Sequence, residues 1–138
     1  MIELHGWVTF RDTYKATWEE GMYTNSLVGE IQEHINRLYW FKPEIKVRNG
    51  EWYMEFSIFA NRKDSETKEA FALFQKIGEI AEGSYGLIYL YDDEDIIGKE
   101  NQFQVFVLAR GIVKKANDTF LSPIIPTIED ASELKFDI

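Results

Sequence analysis

The fold turns on the stretch EIKVRNGEWYMEFSIFA, Glu44 to Ala60. Asn49-Gly50 is a strong short-range hairpin signal, because both residues tolerate positive φ in a two-residue turn. After it, Trp52, Met54, Phe56 and Ile58 alternate with Glu51, Tyr53, Glu55 and Ser57. A period of two puts the first set on one face of a strand and the second on the other, so one face is buried and one solvated. Two strands, Glu44 to Arg48 and Glu51 to Ala60, are therefore expected.

Helices flank this hairpin. Upstream, Leu27, Ile31, His34, Ile35 and Leu38 recur at three- and four-residue steps, which predicts a helix from about Ser26 to Tyr39. Asn25 or Ser26 would cap it, and Pro43 stops it. Downstream, Ala70, Phe71, Phe74, Ile77 and Ala81 form the stripe of a second helix over Ser65 to Ala81. Asp64 or Ser65 is its expected cap, and Gly83 the expected left-handed residue beyond its end.

Further out lie the remaining strands. Ile2, Leu4, Val8 and Phe10 share a face of a first strand, Ile2 to Arg11, with Trp7 on the other face. In Ser84 to Tyr91 both faces are apolar, the pattern of an interior strand. Phe103 to Arg110 is the last expected strand. The order strand–helix–strand–strand–helix–strand–strand predicts an α+β fold, a ferredoxin-like βαββαβ sheet with two helices on one face and an extra edge strand. Residues 117–138 contain Pro123 and Pro126, show weak periodicity and are expected to form an extended acidic tail on a single domain spanning 1–138. Tyr14, Trp18 and Tyr23 sit in a polar connection, where they either form exposed binding anchors or pack as a lid.

Composition sets the outer bounds. The 138 residues are 45% hydrophobic and 15% aromatic, enough for an ordinary core and too much for intrinsic disorder. With no cysteine, disulfide scaffolds, thiolate metal sites and cysteine nucleophiles are excluded. The N-terminus lacks a basic stretch followed by an apolar one, and no apolar run is long enough to span a bilayer, so a soluble cytoplasmic protein is expected.

The net charge of −9 is unevenly placed. Residues 92–101 carry −4 and residues 118–138 another −4. Nucleic acid is disfavoured as a direct partner, since phosphates call for clustered Lys and Arg. An acidic loop is either a solvated face or a surface that meets a basic partner.

Catalytic and metal motifs fail one by one. Read as a calcium loop from Asp93, Ile97 stands at the fifth position, where an oxygen ligand is required, and Gln104 at the twelfth, where a bidentate Glu is. His5 and His34 are the only histidines, too few for a three-histidine zinc site. No serine lies in GxSxG, no glycines form a phosphate loop, and nothing singles out a pair of carboxylates. No catalytic residue, metal or cofactor is assigned.

Four segments taken together carry a resemblance: His5-Gly6-Trp7, GSYGLIYLYDDED (Gly83 to Asp95), FQVFVLARG (Phe103 to Gly111) and FLSPIIPTIED (Phe120 to Asp130). In this order and spacing the chain resembles the Immunity protein 7 family of bacterial polymorphic toxin systems. The resemblance implies a non-enzymatic protein that binds and neutralises a cognate toxin domain, frequently a nuclease. It is carried by Trp7, Tyr85, Asp92, Asp93, Glu94, Asp95, Arg110 and Pro126, of which Trp7 and Pro126 also admit structural roles. The candidate toxin contacts are Asp92, Asp93, Glu94, Asp95, Trp7 and Tyr85, joined by Glu129 and Asp130 of the tail. A toxin domain that binds phosphates presents a basic face, which an acidic inhibitor can mimic and be steered to. The alternatives are a small-ligand-binding ferredoxin-like module and an oligomeric one paired through a Phe103–Leu108 edge. The protein is expected as a monomer or weak dimer, without a membrane or nucleic-acid partner.

Overall fold

Asn49 and Gly50 both take positive φ, 51° and 77°, and close the expected hairpin. Around it, the computed structural model describes residues 1–13, 24–61, 64–94 and 102–120. The elements run β1 (Ile2–Thr9), α1 (Thr24–Asn36), β2 (Lys46–Arg48), β3 (Glu51–Ala60), α2 (Ser65–Ile80), β4 (Tyr85–Asp92), β5 (Phe103–Ala109) and β6 (Ile112–Asn117). The fold is α+β. Its open sheet has the order β2-β3-β1-β4-β5-β6, with every pairing antiparallel.

The pleat sorts the side chains. Ile2, Leu4 and Val8 of β1, Met54 and Ile58 of β3, Ile88 and Leu90 of β4 and Leu108 of β5 form one buried layer. Val28, Ile31 and Ile35 of α1 and Ala70, Leu73, Phe74 and Ile77 of α2 complete it, so both helices cover the same face. Each of these side chains larger than alanine contributes about 1.5–3 kcal/mol of burial. At the centre, Gly6 leaves room for the ring of Phe56, which a β-carbon at position 6 would strike. That ring packs edge-on against Phe41 (4.7 Å) and Phe74 (5.9 Å).

The helix ends differ from expectation in instructive ways. Asp64 caps α2 as predicted, its carboxylate accepting from the Thr67 N–H at 3.1 Å. Asn25, in contrast, lies inside α1, and its Oδ1 accepts the indole N–H of Trp52 at 2.8 Å. Beyond Asn36 the N–H groups of Arg37 and Leu38 still donate back to the His34 and Ile35 carbonyls, at 3.1 and 3.0 Å, and the amides after them find another acceptor. The N–H groups of Tyr39, Trp40 and Phe41 all donate to the Glu69 carboxylate of α2, at 3.0, 2.7 and 2.7 Å. Burial pushes the Glu69 carboxyl up, but these three bonds, with Lys42 nearby, bring it below its ordinary 4.5. Gly83 is not left-handed. Its role is close approach, since a β-carbon there would run into the Thr13 backbone.

The C-terminal strands also differ. Arg110 and Gly111 both adopt positive φ (52° and 78°) and fold Ile112–Asn117 back as β6. Strand β5 is therefore interior, lying between β4 and β6, so Phe103–Leu108 is not a sheet edge. Asn117 belongs to β6, while the rest of the expected tail from 121 onward lies outside the described residues.

Candidate protein-binding surface

Trp7 and Tyr85 share the sheet face that neither helix covers. Trp7 pairs across with Glu55 and Leu87, and Tyr85 lies diagonally beside it, the two rings meeting edge-on at 6.1 Å. Both remain open, 39% and 46% exposed. The register places further large side chains on this face: Tyr53 and Phe59 of β3, Leu87 and Tyr89 of β4, and Val107 of β5.

The acidic candidates stand elsewhere. Asp92 is seven positions along β4 from Tyr85, about 23 Å at the usual strand rise. Its side chain follows Ile88 and Leu90 onto the helix side, is 9% exposed, and accepts from the Glu94 N–H at 3.0 Å. Asp93 takes the Met1 ammonium at 2.5 Å. That hydrogen bond raises the ammonium pKa above 8.0, against the opposing effect of burial, with the charges of Glu94 and Asp92 adding to it. The Glu94 carboxylate is exposed and has no partner among the described residues. The structure thus brings Trp7 and Tyr85 together and gathers Asp92, Asp93 and Glu94 at the far end. Asp95, Glu129, Asp130 and Pro126 lie outside the described residues, as do Tyr14, Trp18 and Tyr23. Arg110 sits in the β5–β6 turn.

Sequence reasoning missed two strongly exposed aromatics. Tyr39 (87% exposed) and Trp40 (64%) follow α1, their backbone held by Glu69. Their proximity to the helix stripe disguised them; Pro43, three residues on, was the available sign that the helix ends first.

Two further features have chemical content. Glu3, His5 and Ser57 form a hydrogen-bonded line, with His5 Nε2 to Glu3 Oε1 at 2.7 Å and His5 Nδ1 to Ser57 Oγ at 2.9 Å. The order is that of a nucleophilic triad, but Ser57 lies mid-strand in β3 rather than on a strand-to-helix turn that offers oxyanion donors. The line fixes the imidazole on the open face. A cavity of about 430 Å³ lies under α2, lined by Thr67, Phe71, Leu90, Gln104, Phe106 and Lys115 among others. The Thr67 hydroxyl is buried there without a hydrogen-bond partner among the described residues. Among the described residues no group of His, Asp or Glu is placed to hold a metal, and no helix is long and apolar enough to cross a membrane.

An open antiparallel sheet, helix-covered on one side and aromatic on the other with an acidic end, defines an α+β protein with a surface suited to protein recognition. The Immunity protein 7 family model matches residues 1–130, and the chain belongs to that family. No curated protein and no solved structure matches it.

Proposed function

We propose that this protein binds and neutralises a cognate bacterial toxin domain, acting by binding rather than by catalysis, in the cytoplasm. The observation that carries this is the family match over residues 1–130. The toxin surface is basic on this reading, and a nuclease suits the charge best. A net charge of −9, of which −4 lies in residues 92–101, raises the association rate with a cationic surface and makes it salt-dependent. Glu94 presents that charge beside Asp93, whose own charge the Met1 ammonium partly offsets, with Asp95, Glu129 and Asp130 as further contacts, while Trp7 and Tyr85 supply apolar area. The chain acts as one unit. The order β2-β3-β1-β4 with α1 and α2 on one face supports a ferredoxin-like core, to which β5 and β6 are added.

Co-expression tests the function. The toxin domain encoded beside this gene is expressed with and without the protein. Growth rescue and co-elution at 1:1 are expected. Neither rescue nor a complex would refute the immunity role.

One observation favours a second reading, a small-ligand module: the cavity under α2 with its unpaired Thr67 hydroxyl. Its mark would be a rise in melting temperature with a small amphipathic carboxylate, abolished by Thr67→Val.

A further inference from the structure

The sheet face that neither helix covers carries an open depression of about 440 Å³. Its floor is strand backbone at Gly6 and Phe56, and its walls are Trp7 and Tyr89, with Glu55, His5 and Ser57 around them. Among the described residues no Lys or Arg lines it. His5 is committed on both nitrogens, to Glu3 and to Ser57. Glu55 is the exposed exception: it faces Trp7 across the β1–β3 pair and has no partner among the described residues. Lys46 faces Tyr53, two positions along β3, and forms no ion pair with Glu55.

The geometry points to an arginine side chain of the toxin domain as the occupant of this depression, its guanidinium on the Trp7 ring and its N–H groups on the Glu55 carboxylate. An aromatic face attracts a cation within about 6 Å of its centroid, and Trp does so most strongly. A carboxylate beside that face adds charge and bidentate geometry that favour a planar guanidinium over an ammonium. Tyr85 contributes by position, its edge set against Trp7. This inference rests on the immunity reading for its partner but assigns a contact that the acidic end does not supply.

The test has two arms. In the first, the neighbouring toxin domain is titrated into the full chain, and Glu55→Gln and Trp7→Leu are compared with wild type. About tenfold weaker binding is expected from each variant, with the unfolding midpoint of Glu55→Gln unchanged. Unchanged affinity of Glu55→Gln, in a protein whose wild type binds, overturns the inference and leaves the immunity role standing. Absence of wild-type binding and of growth rescue refutes the immunity role instead. The second arm needs no toxin: N-acetylarginine amide is titrated while the Trp7 indole N–H is followed by NMR, with N-acetylglutamine amide as the uncharged control. A saturable shift with arginine alone, lost in Glu55→Gln, is expected. No shift, or an equal shift with glutamine, overturns the inference. A concentration-dependent dimer dispersed by Trp7→Leu also overturns it, since a second copy would then be the occupant.

Discussion

On the helix-covered face of the sheet, Leu4, Val8, Met54 and Ile88 are all sealed from water. One residue along, across the pleat, Trp7, Phe59 and Tyr85 keep 39%, 67% and 46% of their surface exposed. In most one-sided antiparallel sheets the alternation separates apolar from polar. Here it also separates satisfied apolar side chains from unsatisfied ones. The covered face holds the protein together; the open face leaves apolar surface exposed.

Substitutions probe that contrast, the strongest first. Phe74→Ala empties a position where Phe74 is fully buried against Phe56. It should cost about 3–5 kcal/mol by chemical denaturation. Trp7→Leu, on the open face, should cost less than about 1 kcal/mol by the same measurement. Equal losses would erase the distinction between the faces.

Next comes Gly86→Ala. A β-carbon there meets the backbone of Trp7 and Val8 on the paired strand, which cannot swing away as a side chain tip can. A loss of about 1–3 kcal/mol is expected, from overpacking. At Gly6→Ala the nearest atoms belong to the Phe56 ring, a side chain rather than backbone, and a smaller loss is expected. The reverse ranking would mean that the β1–β4 pair yields more easily than the aromatic cluster.

Glu69→Ala removes the acceptor for three amides and should cost about 1–2 kcal/mol. The pH dependence has a definite sign. The Glu69 carboxyl lies lower in the folded protein than its ordinary 4.5. Its contribution is therefore complete above pH 4.5 and is lost as pH falls through the lowered folded value. The stability gap between wild type and Glu69→Ala should close on acidification. A gap that widened instead would show that the bonds do not depend on the charged form. Asp64→Ala closes the series, with about 1 kcal/mol expected from the lost cap.

Much of this architecture was legible because local and tertiary signals agreed. Asn49-Gly50, the alternation through β3 and the two helical stripes each named an element that the structure contains. The failures lie where a distant group decides. Arg110 at positive φ is no turn signal, so β6 was invisible and β5 was taken for an edge. The segment that follows α1 is held by Glu69, some thirty residues later. Gly83 sits after a helix, where a left-handed cap is the local expectation, yet the constraint comes from Thr13. For the surface, the residues of the family resemblance did not disclose that Trp7 and Asp92 lie on opposite sides of the sheet. Nor did the sequence show Glu55 and Trp7 as cross-strand neighbours, because pairing register is a tertiary property.

One contact also bears on how the chain can change over generations. At Gly78 of α2 a β-carbon would press on the Gly111 carbonyl at 2.8 Å, and at Gly111 one would approach the Gly78 carbonyl at 3.2 Å. The helix and the β5–β6 turn touch backbone to backbone. A β-carbon at either position presses the helix and the turn apart, and at Gly111 the positive φ adds strain. Neither residue can become smaller to make room for the other, so both positions should stay glycine among homologues, and the outer strands, with Lys114 on their open face, inherit their placement from a contact on the opposite side of the sheet.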